Sequence, residues 1–330
     1  MRSAASGTYS NVEIIIVDDG STDATGSMAE QLAPEDPRIW VIRRENGGPS
    51  AAFNSGVAVA SGDYIARLDA DDLWHPAKLE AQVSFAVEHP DVGFVYTLVR
   101  YIDESGRVLQ DGPRQEFPSR ALCRGICESI VGGGSSALMK RSAVEQAGGC
   151  DESLRSWEDL LLQLTISARH RIGFVPQYLV GYRIRPASLT RDIDPMVRGW
   201  RAVRARLKDD FPEVPAFVHA WAHGVRCATF AEGYAWRKQP LRSTALLAEA
   251  VRYDPAYVSA LLRFRLARRA AKRGMRARRL PLVNFFDCHP AEPITADRFE
   301  PHPAHRRFAS FEEGRRQALA ELDARLAREV

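Results

Sequence analysis

Val12-Glu-Ile-Ile-Ile-Val-Asp-Asp-Gly-Ser-Thr-Asp23 is the stretch on which the reading of the fold turns. Residues 12–17 are few, rich in β-branched side chains and bounded by Asp-Asp-Gly-Ser, the pattern of a buried parallel strand. Working outward, residues 24–33 have helical composition and stop near Pro34, and Arg38–Arg43 reads as a second strand. The turn-rich Glu45-Asn-Gly-Gly-Pro49 leads into a helix over 50–60, then a strand over 63–68. A helix over 76–88 follows, with apolar Leu79, Val83 and Val87, and then a strand over 92–97. Strands alternating with helices at this spacing predict βαβ units, hence an α/β fold with a mostly parallel sheet and helices on both faces. Ligands of such sheets sit outside the carboxyl ends of the strands.

Beyond residue 97 the chain reads as irregular to about Gly134, with a short helix over 142–147 and a longer one over 157–170. Residues 173–176 and 179–183 close the α/β part. After about Pro195 the composition shifts to helices rich in Ala, Leu and Arg, so the expected domains are 1–195 and a helical extension over 196–330.

With 330 residues the chain can bury a sizeable core, and 45% hydrophobic with 26% charged residues are ordinary globular values. A net charge of +3 points to no nucleic-acid partner. Five cysteines with no close pair argue against both a disulfide framework and a zinc site. No apolar run approaches a membrane span, and MRSAASGTYSN lacks the apolar core of a secretory signal, so a cytoplasmic location is expected.

Two acidic clusters fall at predicted strand ends: Asp18-Asp19, and Asp69, Asp71 and Asp72 within Arg67-Leu-Asp-Ala-Asp-Asp72. Carboxylates this close repel one another unless a cation compensates. Mg2+ or Mn2+, held by one or two carboxylates and by substrate phosphate oxygens, would do so. Aspartate also favours turns and helix N-caps, and residues 69–72 alone do not separate the two readings.

Three blocks add context: VEIIIVDDGSTD at 12–23, ENGGPSAAFNSGVAVASGDYIARLDADD at 45–72 and GGCDESLRSWEDLLLQL at 148–164. In order and spacing they resemble the inverting glycosyltransferases of family 2, over roughly residues 10–190. The resemblance implies a GT-A fold, Mn2+ or Mg2+ as cofactor and a nucleotide-diphosphate sugar, a UDP-sugar, as donor. It implies a saccharide or lipid-linked acceptor, in polysaccharide, glycolipid or cell-envelope synthesis. By resemblance Asp19 recognises the nucleotide base, with Asp18, Gly20, Ser21, Asn46 and Gly48 around the nucleotide sugar. Asp71 becomes the direct metal ligand, with Asp69 facing the ribose or the metal shell and Ala70 beside the donor. Asp159 becomes the general base and Glu158 its support or an acceptor contact.

Such roles are physically coherent. A divalent cation stabilises the charge that develops on the leaving diphosphate, and a carboxylate across the anomeric carbon takes the proton of the attacking hydroxyl. Acidic residues in a first helical turn also suit the helix dipole, which is the plainer account of Glu158-Asp159. Trp157 reads as core or as an acceptor platform, and Gly132-Gly-Gly-Ser-Ser136, with Gly133 and Gly134, as an acceptor loop or a turn. Arg183 and Arg185 fall where the family often carries Tyr-Arg-x-His near the diphosphate; Arg185 replaces that His, keeping phosphate pairing but not metal ligation.

Besides Arg185, the chain departs from the family pattern in three places. Only eleven residues precede Val12 and they contain no strand, so the first strand and helix are expected to be lacking, which would expose strand edges. Phe53 stands where many members place an arginine, and Cys150 replaces a frequent Phe. A rival reading is a non-catalytic GT-A-like binding or scaffolding domain. Farther on, the segment from Arg263 to Arg279 carries nine cations and no acid. On a helix it would be a solvated face or a peripheral contact with an anionic membrane.

Overall fold

A computed structural model describes residues 2–129, 133–185, 193–272, 283–293 and 303–329, the side chains of 266–272, 303–306 and 329 excepted. In chain order the elements are α1 (Arg2–Ala5), β1 (Ile14–Asp19), α2 (Thr25–Leu32), β2 (Ile39–Arg44), α3 (Pro49–Val59), β3 (Tyr64–Ala66), β4 (Leu73–Trp74) and α4 (Lys78–Glu88). β5 (Val92–Ile102), β6 (Val108–Asp111), α5 (Leu122–Glu128), β7 (Leu138–Lys140), α6 (Arg141–Gln146), α7 (Glu158–Arg169) and β8 (Arg171–Arg183) follow. The rest are α8 (Ile193–Asp210), α9 (Ala216–Trp236), α10 (Pro240–Tyr253), α11 (Pro255–Lys272) and α12 (Pro303–Glu329).

The stretch that decides the fold forms a parallel strand as read, but not a buried one. β1 pairs in parallel with β2, Ile14 opposite Ile39 through Asp19 opposite Arg44, with α2 as the crossover. Asp18 and Asp19 belong to the strand end, where the register sets Asp18 opposite Arg43 and Asp19 opposite Arg44. Among the described residues β1 has no ladder on its other edge, and its apolar side chains are only half-buried. Glu13 reaches across instead, accepting N–H bonds from Ser61 at 2.7 Å and Gly62 at 2.9 Å, just before β3.

The second sheet runs β3-β7-β5-β8-β4, with β6 against β5. The long pair β5–β8 is parallel, whereas β3–β7, β5–β7, β4–β8 and β5–β6 are antiparallel. The α/β class stands, with a mixed sheet in place of a mostly parallel one. The cause is local: β4, β6 and β7 are two to four residues long, and β4 follows β3, and β6 follows β5, through a turn with no crossover helix.

β5 is buried along nearly its whole length and extends to Ile102, five residues past the expected end. Its tail turns through Asp103, whose Oδ1 accepts N–H bonds from Ser105 and Arg107, both at 2.9 Å. The two strands expected over 173–183 are one, with the register jumping from Thr97–Val175 to Leu98–Tyr178. Pro176 has no N–H to give the ladder, which accounts for the skip.

The chain divides into two compact units. One holds residues 1–120, 131–188 and 282–294; the other holds 121–130, 189–281 and 295–330. In the first, Phe285 is fully buried and Arg100, also fully buried, pairs with Asp111 at 3.0 Å and donates to the carbonyls of His289 and Glu292. In the second, Trp200, Val203, Leu207 and Val218 form the buried faces of α8 and α9. Arg265 pairs with Glu232, and the rest of the expected basic face, from residue 273 on, lies outside the described residues. Among the described residues no helix is long and apolar enough to cross a membrane.

Candidate active site

The carboxyl end of β1 organises a turn. Asp19 accepts N–H bonds from Gly47 at 3.0 Å and Gly48 at 2.6 Å, and pairs with Arg44 at 3.1 Å. Asn46 donates its side-chain amide to the Asp19 carbonyl at 2.9 Å. Gly48, at φ 86°, takes a left-handed conformation that glycine allows, directly before Pro49 opens α3. Asp18 is buried; its Oδ1 accepts the Ser21 N–H at 3.0 Å, and the Ser21 bonds hold its carboxyl below the usual range. Asp18, Asp19, Ser21, Asn46 and Gly48 are thus brought together as expected, with Gly20 against Asn46.

A second cluster forms between β3 and β4. Asp69 to Asp72 is a turn closed by the Asp72 N–H on the Asp69 carbonyl at 3.0 Å. Asp72 is buried: Oδ1 takes the Arg183 N–H at 3.0 Å, while Oδ2 has no hydrogen-bond partner. Burial pushes its carboxyl up to about 7. No hydrogen bond or ion pair engages the half-exposed Asp71 carboxylate among the described residues. Ala70 lies exposed at the tip of the turn. Arg183 clamps the turn from β8, donating Nε to the Asp71 carbonyl at 2.6 Å and Nη1 to the carbonyls of Asp103 and Glu104, both at 2.7 Å. Arg185 is exposed.

Arg67, to which the sequence reading gives no role, joins this turn to α7. Its Nε donates to Asp69 at 2.7 Å and its Nη1 to Glu158 at 3.0 Å. Burial opposes its charge, but Asp69, Glu158 and Asp159 more than offset that and raise its pKa. Asp159 accepts the Leu160 N–H at 2.8 Å. Burial, then the neighbouring Glu158 charge, push its carboxyl up to about 6, with Arg67 pulling the other way. Asp69 and Glu158 therefore share one guanidinium, whose charge also acts on Asp159.

Several contacts fix that arrangement. Trp74 donates its indole N–H to the Ser135 carbonyl at 2.8 Å, and Ser135 Oγ accepts the Asp69 N–H at 3.0 Å. Gly134 lets Arg67 pass close by; a Cβ there would meet Arg67 Cδ at 3.0 Å, and one on Gly133 would meet the Tyr182 ring. Gly134–Ser136 is a buried single helical turn. Ahead of α7, Asn54 exchanges bonds with Cys150 at 2.8 and 2.9 Å, and Ser50 donates to the Leu154 carbonyl at 3.0 Å. Trp157, half-buried at φ 67°, is the left-handed residue from which α7 starts, so the backbone strain of about 1–3 kcal/mol sits next to Glu158. Phe53 and Cys150, the two departures from the family pattern, line one recess with Arg67 and Asp159.

Removing the guanidinium leaves three carboxylates uncompensated. Arg67→Met is expected to lower stability by about 3 kcal/mol at pH 8, and by less at pH 5, where the raised carboxyl of Asp159 is protonated. Denaturant melts at both pH values check this; an equal loss at the two would refute the charge-coupled account.

The acidic turn fits a hard divalent cation in a limited way. Asp71 offers an uncommitted carboxylate, whereas Asp69 has one oxygen on Arg67. The set suits a cation that takes one or two protein carboxylates and completes its shell with phosphate and water. Three ligand-type side chains do gather elsewhere, in the second unit: His223, Cys227 and Glu249. There the Trp200 indole, a donor only, gives its N–H to His223 Nδ1 at 3.1 Å, so Nε2 carries the proton and donates to Glu249 at 2.8 Å. Burial pushes the Cys227 thiol up to about 12. Trp200, His223 and Glu249 thus form one hydrogen-bond chain, with Cys227 Sγ 3.5 Å from His223 Nε2.

Comparison with known proteins agrees with the motif blocks. Residues 1–148 match the family described as Glycosyl transferase family 2, which bears out the resemblance for that part of the chain. A Nostoc sp. glycosyltransferase, alr2836, is 41% identical over 198 residues, 57% of this chain and 60% of that protein. The chain spans only 27% to 30% of the length of other curated relatives it matches. Among solved structures, S. aureus TarS 1-349 with UDP-GlcNAc has a TM-score of 0.55 at 18% identity, covering 82% of each chain. The mannosyltransferase PcManGT of Pyrobaculum calidifontis, with GDP-Man and Mn2+, has a TM-score of 0.54 at 20% identity, covering 82% of this chain and 74% of its own. These likenesses establish the GT-A-type fold.

Proposed function

We propose, from the family 2 identity of residues 1–148, that the chain is an inverting glycosyltransferase that moves a sugar from a nucleotide-diphosphate sugar to an acceptor hydroxyl. The observation that carries the reading is the Arg67 cluster: it joins the Asp69 end of the acidic turn to Glu158 and sets Asp159, with its raised carboxyl, beside them. The uncommitted Asp71 adds to it. A UDP-sugar is the donor we favour; UDP-GlcNAc and GDP-Man in the two structural neighbours support the donor class.

In this reading Asp19, Asn46 and Gly48 hold the nucleotide end through the β1 turn, with Asp18, Gly20 and Ser21 shaping its backbone. Asp71, with Asp69 beside it, would hold Mn2+ or Mg2+; the bound cation would supply Lewis-acid stabilisation of the diphosphate. Arg183 keeps Asp71 and Asp72 at the end of the sheet, and Arg185 remains exposed for phosphate. Asp159 takes the acceptor proton, while Arg67 and Glu158 fix its charge and direction. Trp157, Gly133 and Gly134 border the acceptor side. A lipid-linked or saccharide acceptor of the cell envelope, met at the inner membrane face through Arg263–Arg279, completes the proposal.

Calorimetry with UDP and GDP, with and without Mn2+, tests the donor end. Binding that requires the metal and favours UDP is the expected result. No nucleotide binding under either condition would sink the catalytic reading and leave a binding domain.

A further inference from the structure

Between α6 and α7 the loop Cys150-Asp-Glu-Ser-Leu-Arg155 is seated on α3. Besides its two bonds with Cys150, Asn54 donates to Glu152 at 2.9 Å, and the Ser50 bond to the Leu154 carbonyl is made where Leu154 is buried. Two residues past Arg155 the left-handed Trp157 opens α7. The main chain is therefore fixed on both sides of Arg155. Its side chain is exposed, yet it lies down on the turn that Asp19 organises: a Cβ on Gly48 would meet Arg155 Nη1 and stand 3.1 Å from its Cδ.

The carboxylates around this guanidinium are engaged elsewhere. Asp19 holds the Gly47 and Gly48 N–H groups and Arg44, Glu152 takes the Asn54 amide, and Glu158 takes Arg67. Asp151 turns back on Ser153, accepting its N–H at 2.9 Å and its hydroxyl at 2.6 Å. Among the described residues no hydrogen bond or ion pair engages the Arg155 guanidinium, nor the exposed carboxylate of Glu45 on the same turn. Arg44 packs on the neighbouring Gly47 much as Arg155 packs on Gly48. Two guanidinia thus flank the turn, and one of them, Arg44, is paired with Asp19. An anion reaching Arg155 would gain a two-pronged donor without first breaking an ion pair.

We propose that Arg155 binds the donor, its guanidinium pairing with the phosphate joined to the nucleoside. This contact rests on the donor class proposed above and places it on a residue to which neither the motif blocks nor the acidic turn gives a role. Gly48 belongs to the turn assigned to the nucleotide end, so the first phosphate is the one that falls to a guanidinium resting there. Glu158 and Asp159 follow Arg155 by three and four positions, so a phosphate ligand and the proton acceptor ride on one segment of chain.

Titration of the full chain and of Arg155→Gln with uridine, UMP and UDP, the last with Mn2+, tests the pairing, using ligand-observed NMR for the weak ligands and calorimetry for UDP. Arg155→Gln should weaken UMP and UDP about tenfold and leave uridine unchanged. Arg155→Lys should recover part of the loss, as a point charge without the planar fork. Tm should stay within about 2 °C of wild type in both variants, since the exposed side chain breaks no bond when replaced. Unaltered UMP and UDP binding by Arg155→Gln would overturn the assignment alone and keep the donor reading. A loss that extends equally to uridine, or that is confined to UDP, would overturn it too, by moving the contact to the base or to the second phosphate. A wild-type chain that binds none of the three would take down the donor reading and this pairing together.

Discussion

Asp159→Asn is expected to lower kcat by about three orders of magnitude while leaving donor binding in place, because loss of a general base typically removes 10²–10⁴-fold. The wild-type pH profile supplies a second readout. A base must be deprotonated to act, and burial beside Glu158 pushes the Asp159 carboxyl up to about 6. Below that pH, log kcat/KM should fall with unit slope, and above it level off. The Asn variant should show its residual rate without that acid limb. If it keeps the limb, another group titrates, and the assignment to Asp159 fails. Arg67 is expected to set the position of the limb, since it opposes the upward shift.

Asp71→Asn carries the second large effect. Its carboxylate is the acidic group of the turn with no bond or ion pair among the described residues, so the substitution breaks no contact that holds the fold. Transfer should fall by about three orders of magnitude if this oxygen anchors the cation that stabilises the leaving diphosphate. Mn2+ titration should no longer stimulate the residual activity, and Tm should stay within about 2 °C of wild type. Chelation of the wild type should reproduce the loss with little change in Tm, because no contact that holds the fold depends on the Asp71 carboxylate. An Asp71→Asn variant that remains active and metal-responsive would move the cation elsewhere.

Much of this was legible from residue order. β-Branched strands, turn-rich stops and helical spacing placed β1, α2, β2, α3, β3 and α4 within a few residues, because each of these elements is bounded by Gly, Pro or Asp. The short strands β4, β6 and β7 were not legible: two to four residues have no period, and tertiary pairing creates them. The extension of β5 was hidden by Arg100, a charge that reads as a strand end until Asp111 and the His289 and Glu292 carbonyls are seen around it. Arg67 was hidden for a related reason. One cation two residues before an acidic turn looks solvated, and its partner Glu158 lies 91 positions away. The adjacent carboxylates that open α7, Glu158 and Asp159, were the available signal, since once the helix packs they demand a counter-ion from somewhere.

Residues 283–293 return to the first unit after the chain has left it. Val108 donates its N–H to Val283 at 2.7 Å and Tyr178 to Pro290 at 2.7 Å, and Phe285 is sealed in the interior. Trimming the protein near residue 188 would therefore strip Arg100 of its carbonyl caps and open a hole where an aromatic ring had been. The helical portion is interleaved with the first unit along the chain instead of appended to it: residues 189–281 leave that unit, 282–294 rejoin it, and 295–330 leave again.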